Sequence, residues 1–200
     1  MTYQEIRKEL IIDFPIAFKK SDYVIEEVEK KMRKFKLKTH LHVYDYLSRN
    51  KNKWIIKVDV REKDVVRFFM TYFYTTENKI AAVGVIDGKQ LLYFTSHFFK
   101  RYNERLKLNL VVPEDIIRHY VKNSSAGLTV DYLGVVKENI VKVFISVKQG
   151  IILGNLHYDI QFCKMNTFIT HEMLKEDQIE RKNQMEEFLN KYRIDSGKLD

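Results

Sequence analysis

Residues 54–60 read WIIKVDV, and three more runs rich in β-branched and aromatic residues follow: VVRFFMTYFYTT (65–76), KIAAVGVID (79–87) and QLLYFT (90–95). Such residues favour extended backbone, so each run is predicted to be a strand. Asp87-Gly88 separates the last two runs. This dipeptide favours a tight hairpin, because both central positions of the turn adopt positive φ. The stretch therefore predicts an antiparallel meander, and the meander decides the fold.

The chain before the meander predicts N-terminal helices. Gln4 to Ile12 is short and weakly amphipathic. Ser21 is a suitable N-cap for a second helix that runs to about Lys38, because its hydroxyl can accept a bond from the first helical turn. The segment 39–50 has no clear period and fits either a helix or a strand.

After the meander the helical period returns. Ser96 can cap a helix over HFFKRYNERLKL, and Pro113 suits the first position of PEDIIRHYVKN. Four more strands are predicted, in LTVDYLGVV, NIVKVFISV, QGIILGNLHY and DIQFCKMNTFI. A long C-terminal helix follows at 171–194, with Thr170 as its N-cap. Its apolar stripe consists of Met185, Phe188, Leu189 and Tyr192.

The order of these elements predicts an α+β fold: N-terminal helices, an antiparallel meander, a central helix pair, further antiparallel strands and a C-terminal helix. We expect residues 1–200 to form a single domain. It can be divided into a helix-plus-meander addition at 1–90, a central segment at 91–170 and the C-terminal helix at 171–194. The apolar stripe of that helix must be covered, and a homo-oligomer would cover it.

Composition excludes several classes of protein. The 200 residues are 45% hydrophobic, which is enough for a core, and the single cysteine, Cys163, rules out an intrachain disulfide. No uncharged apolar run approaches the ~18 residues of a membrane span. The first residues, MTYQEIRKELIIDF, mix acids and bases into the apolar positions and do not resemble a secretory signal. We therefore expect a cytoplasmic protein with no membrane partner.

The charge is strongly basic and unevenly distributed. Lys plus Arg is 35 and Asp plus Glu is 27, which gives +8, and residues 30–38 read KKMRKFKLK without an acid. Such a field attracts phosphate backbones through counterion release. A solvated helix face is the other interpretation, since Met32 and Phe35 continue an apolar series from Val24 and Val28. The predicted binding residues for RNA or another polyanion are Lys30, Lys31, Arg33, Lys34, Lys36 and Lys38.

The stretch TSHFFKRYNER at 95–105 carries the residue types of phosphate chemistry. On a helix, His97, Arg101 and Arg105 fall at about 0°, 40° and 80°, so they form one stripe beside the apolar face. Arginine binds phosphate through its planar fork, and histidine exchanges a proton near neutral pH. Together they suit metal-free RNA cleavage by the 2′-hydroxyl. An ordinary amphipathic helix with a polar rim is the alternative, with Glu104 as the compensating acid.

Three pieces of this sequence resemble the barnase/EndoU/colicin/RelE-like nuclease superfamily, and in particular its small bacterial domains. They are TSHFFKRYNERL (95–106), VPEDIIRHYVKN (112–123) and NTFIT (166–170). The resemblance covers roughly residues 93–170. It implies a metal-independent ribonuclease without a cofactor, toxin-like in character, for which an inhibitor or antitoxin protein is a possible partner.

The resemblance also implies roles for individual residues. His97 would be the acid/base group, Arg101 and Arg105 would bind phosphate, and the hydroxyl of Thr167 or Thr170 would lie near the scissile phosphate. From its position after the last strand, His171 is a candidate second proton-transfer group. The competing hypothesis is a non-enzymatic α+β module whose basic surface binds nucleic acid or an acidic protein.

Other candidate residues favour structural roles. His40 and His42 share one face of an extended segment but have no evident third ligand, so no metal site is predicted. Cys163 lies among apolar residues and is expected to be a buried small hydrophobe. His119 is interpreted as a partly exposed residue on the polar face of its helix. The rings of FFMTYFYTT (68–76) are expected to be buried on both faces, with a base-stacking surface as the alternative.

Overall fold

The computed structural model describes residues 2–62, 64–86, 88, 90–124 and 129–195, with the backbone alone at 129–136, 185–186 and 188–195. Within this part of the chain the helices are α1 (Tyr3–Phe35), α2 (Ser96–Arg105), α3 (Pro113–Asn123), α4 (Glu176–Asp195) and a 3-10 turn at His171–Met173. The strands are β1 (Thr39–Leu47), β2 (Lys53–Arg61), β3 (Asp64–Tyr74), β4 (Ile80–Ile86), β5 (Gln90–Phe94), β6 (Thr129–Lys137), β7 (Ile140–Val147), β8 (Gly150–His157) and β9 (Phe162–Thr170).

All nine strands belong to one mixed sheet, in the order β1-β2-β3-β4-β5-β9-β8-β7-β6. Neighbouring strands are antiparallel except β5 and β9, which pair in parallel from Leu91↔Phe162 to Phe94↔Met165. The predicted α+β class and the predicted meander are confirmed. The parallel pair was not predicted, and it joins the two antiparallel halves into a single sheet.

Helices cover both faces of this sheet. Helices α2 and α3 pack on one face, where Phe68 and Met70 of β3 are buried. Helix α1 packs on the other face, where Phe69 of the same strand is buried. Burial on both faces is therefore confirmed for Phe68, Phe69 and Met70, which are core residues. Tyr74 at the end of the strand is instead 49% exposed.

Helix α1 corrects the expectation of two N-terminal helices. It is one helix of 33 residues that begins with a capping box between Thr2 and Glu5 and continues across Pro15. Ser21 is not an N-cap: it is buried inside the helix and donates a hydrogen bond to the Phe18 carbonyl at 2.6 Å. Residues at helical spacing face the sheet along the whole length, and this burial outweighs the local stop signals. The buried apolar positions are Ile6, Leu10, Ala17, Ile25, Val28 and Met32.

Three smaller differences concern the ends of elements. Thr95, and not Ser96, caps α2, because its hydroxyl accepts a bond from the Phe98 N–H at 3.2 Å. The segment 39–50, whose sequence fits either a helix or a strand, contains β1. Thr170 stands at the N-cap of the 3-10 turn without a side-chain cap bond, and the α-helix after it begins only at Glu176. The side chains of the predicted apolar stripe in α4 lie outside the described residues.

The turn between β4 and β5 agrees with the hairpin prediction where it is described. Ile86 and Gln90 are the last paired residues, and Gly88 has a φ of 67°, a conformation that favours glycine. Asp87 lies outside the described residues. Across the helices that are described, none is both long enough and apolar enough to cross a membrane.

Candidate functional site

Helix α2 is held against β9 by its aromatic face. Phe98 and Tyr102 are fully buried and contact the Phe168 ring, at centroid distances of 6.4 and 5.0 Å. The recorded pairing between β5 and β9 ends at Met165, and beyond that residue β9 lies against α2. This packing places the C-terminal end of α2 beside the part of β9 that carries the Thr167 hydroxyl.

Arg105 is the residue of the predicted stripe that reaches β9. Its Nη1 donates to the Thr167 hydroxyl at 3.4 Å and to the Phe168 carbonyl. Partial burial and the charge of Arg101 lower the pKa of Arg105, and Glu104 opposes this shift. The guanidinium stays charged, because an arginine is not deprotonated in proteins. The structure thus brings together two of the six predicted catalytic residues.

The remaining members of the stripe lie on the surface. Arg101 forms an ion pair with Glu104 at 3.2 Å, and both side chains are 44% exposed. Lys100 approaches the same carboxylate at 3.9 Å. His97 is exposed, and no hydrogen bond or ion pair joins it to the described part of the chain. Glu104 is therefore the compensating acid of the amphipathic-helix interpretation.

In the described part of the chain, no hydrogen bond or ring contact joins His97 to Thr170 or His171. The Nε2 atom of His171 contacts the Lys148 carbonyl at 3.2 Å, in the turn between β7 and β8. Its Nδ1 atom is buried and has no hydrogen-bond partner among the described residues. Thr170 pairs with Gly150 of β8 and is the last residue of β9. His171 follows it as the first residue of the 3-10 turn.

Sequence reasoning missed a polar cluster beneath α2. The buried Tyr102 hydroxyl lies 3.1 Å from Nδ1 of His119 on α3 and 3.5 Å from Oε1 of Gln149. Burial, followed by the charge of Lys122, lowers the pKa of His119. No local sequence pattern predicts these contacts, because Tyr102, His119 and Gln149 come from different parts of the chain and only the fold brings them together.

The six predicted binding residues lie at the end of α1 and in the connection to β1. Lys36 ends the helix in a left-handed conformation, with its N–H donated to the Met32 carbonyl. A groove of about 480 Å³ lies beside it. Its lining residues are Glu29, Met32, Arg33, Lys36, Leu37, Lys38, Val60, Arg61 and Glu62.

Phe35 is the unexpected residue of this region. Met32 is buried as the apolar series predicts, but Phe35 is 62% exposed. The Lys34 ammonium lies 5.5 Å from the centre of the Phe35 ring. The end of α1 therefore presents an aromatic ring to solvent in the middle of a run of bases.

The remaining candidates concern metal binding and thiol reactivity. Among the residues that the structure describes, no group of three or more His, Cys, Asp and Glu side chains is placed to hold a metal ion. Cys163 is buried as expected, and burial raises the pKa of its thiol to about 12, so the reactive thiolate is disfavoured.

Comparison with protein families, with curated protein sequences and with solved structures finds no match to this chain.

Proposed function

We propose that this protein is a binding module for single-stranded RNA, and that the end of α1 is its interface. The observation that carries the proposal is the exposed Phe35 ring among six lysine and arginine residues. An exposed aromatic side chain gives a nucleobase a surface for stacking, while neighbouring lysines and arginines hold the backbone. Stacking of one base on such a ring contributes about 1–3 kcal/mol.

Charge supports the same partner. The molecule carries +8, and the 30–38 segment contains no acid. Among the described residues, the six basic side chains form one ion pair, between Arg33 and Glu29 at 3.8 Å, and it is weak because both side chains are exposed. The positive charge of these basic side chains is therefore mostly unneutralised and can attract an external anion. An acidic protein would satisfy the charge, and the Phe35 ring adds a surface on which a nucleobase can stack.

The test is fluorescence anisotropy with a labelled 12-nucleotide single-stranded RNA at several salt concentrations. Phe35→Ala should weaken binding by about five- to 150-fold, the equivalent of one lost stacking contact. Replacing Lys34, Lys36 and Lys38 by Gln should also weaken binding, and should reduce the salt slope by about 2 at roughly 0.7 per phosphate contact.

The matched control replaces three exposed lysines elsewhere on α1, Lys8, Lys19 and Lys20, by Gln and removes the same charge. It should retain most of the affinity and the salt slope. Equal loss in both triple variants, or equally strong competition by polyglutamate, would show attraction by net charge alone and would overturn the proposal. No binding by the folded wild type would do the same.

We propose a metal-independent ribonuclease as the second candidate function, because Arg105 contacts the Thr167 hydroxyl. In this proposal His97 removes the 2′-hydroxyl proton, and the 2′-oxygen attacks the adjacent phosphorus while the P–O5′ bond breaks. The departing 5′-oxygen takes a proton from solvent water, which leaves a 2′,3′-cyclic phosphate and a 5′-hydroxyl. Arg101 and Arg105 stabilise the negative charge that develops on the phosphate. Thr167, Thr170 and His171 are the supporting groups at the end of β9.

Cleavage of a fluorescent mixed-sequence RNA in EDTA tests this candidate. Wild type should produce 2′,3′-cyclic phosphate ends, and His97→Ala should lose turnover without loss of fold. His157→Ala, a histidine at the end of β8 on the other side of the sheet from α2, is the matched control. Absence of cleavage by folded wild type, or unchanged turnover in His97→Ala, would exclude the mechanism.

A further inference from the structure

Three rings form a ladder along the edge strand β1. His40, His42 and Tyr44 alternate along the strand and therefore share one face of the sheet. The His40 and His42 rings are 6.3 Å apart with an interplanar angle of 20°, and His42 and Tyr44 are 5.6 Å apart at 24°. Tyr44 packs against the core that α1 covers, so the ladder lies on the face of α1.

The ladder begins where the basic segment ends. The chain leaves α1 at Phe35, turns, and enters β1 at Thr39, so β1 returns beside the last turns of the helix. The charged or titratable groups that act on His42 are His40 on its own strand and, on α1, Lys31 and Glu27. Val58 and Val60 on β2 are the direct neighbours of the two histidines and carry no charge.

This environment disfavours the imidazolium in the free protein. Burial, then His40 and Lys31, lower the pKa of His42, and Glu27 opposes them only in part. A bound anion would raise the pKa of His42, because its negative charge offsets the repulsion from Lys31 and from the His40 ring. Both imidazoles are partly accessible.

We propose that His40 and His42 form a phosphate subsite of the RNA interface, and that His42 binds the phosphate as an imidazolium ion, so that RNA binding takes up a proton. The proposal rests on the RNA-binding function above. Its ligand is the phosphodiester backbone of single-stranded RNA, with the 30–38 bases and Phe35 on one side of the subsite. No covalent step is involved.

Linkage determines the direction of the effect. When a complex binds more protons than the free protein, its affinity rises as the pH falls through the pKa of the group concerned. For a histidine this window lies around pH 6.5. Each unit by which RNA raises the pKa of one imidazole strengthens binding by about tenfold at low pH. We therefore expect tighter binding at pH 5.5 than at pH 8.

The experiment measures the affinity of the 12-nucleotide RNA from pH 8 to pH 5.5 at constant ionic strength, with circular dichroism at each pH to verify the fold. Wild type should bind at least about tenfold more tightly at pH 5.5. The His40→Asn/His42→Asn double variant should lose this gain. His157→Asn is the control and should keep the full gain.

Nuclear magnetic resonance titration of the imidazoles gives an independent readout, because RNA should raise the pKa of His42. Binding that does not change with pH, or a pH gain retained in the double variant, would overturn the subsite and leave the RNA interface in place. Absence of RNA binding at every pH would instead overturn the interface itself.

Discussion

Arg105 shows how one side chain can serve the fold and remain available to a ligand. Its two described contacts, to the Thr167 hydroxyl and the Phe168 carbonyl, both use Nη1. A guanidinium has five N–H donors, so Nε and Nη2 retain donors for a phosphate. Arg101 differs, because its contact is an exposed ion pair with Glu104.

This difference predicts unequal costs of substitution. Arg105→Gln removes the charged side chain that donates a hydrogen bond to the Phe168 carbonyl of β9. The substitution should lower the free energy of unfolding by about 1.5–3 kcal/mol. Arg101→Gln removes an exposed ion pair and should cost less than about 1 kcal/mol. Urea denaturation of the two variants measures both values. Equal costs would show that the contacts of Arg105 do not support the fold.

Among the elements, α1 is fixed to the sheet by a buried carboxylate. Asp13 is fully buried and accepts hydrogen bonds from the Asn50 and Asn52 amides, both at 3.1 Å, and from the Trp54 indole at 2.7 Å. All three donors belong to the turn between β1 and β2 or to the start of β2. The helix and the β1–β2 hairpin are therefore joined by polar contacts as well as by the apolar core.

Asp13→Ala should consequently destabilise the whole chain. The substitution leaves the buried Trp54 N–H without its acceptor, at a cost of about 1–3 kcal/mol for that group. Thermal and urea unfolding measure the loss. Glu26→Ala, an exposed site on the same helix, is the control and should change stability by less than about 0.5 kcal/mol. Similar stability in both variants would contradict the role of Asp13.

At the scale of the whole molecule, the sequence predicts those features that local patterns determine. The meander, the helix that starts at Pro113 and the burial of Cys163 all follow from residues close in sequence. Helix α1 does not, because local signals such as Ser21 favour a break and only packing on the sheet overrides them. The contact of Tyr102 with His119 and the pairing of β5 with β9 are equally non-local. Of the candidate site, only the proximity of Arg105 to Thr167 agreed with the expected arrangement.

Two histidines give the whole fold a predicted dependence on pH. Burial lowers the pKa of both His42 and His119 below the ordinary value of 6.5. The unfolded chain therefore binds more protons than the native protein just below pH 6.5, and the free energy of unfolding should fall as the pH decreases through that value. Urea denaturation between pH 7.5 and pH 5.5 tests this. The His42→Asn/His119→Asn variant should show a weaker decline, and an unchanged decline would assign the effect to other groups.

The parallel pairing of β5 with β9 also has a kinetic consequence. Leu91 and Phe162 are neighbours in the sheet but far apart along the chain, whereas each antiparallel half consists of strands that are consecutive in sequence. Closing the longer loop costs more entropy, so the halves should form hairpins early and join late. The Tyr3 and Phe162 rings stack with their centroids 4.1 Å apart, so the start of α1 packs on the β5–β9 pair. Substitutions in the contact between β5 and β9 should therefore speed unfolding more than they slow folding.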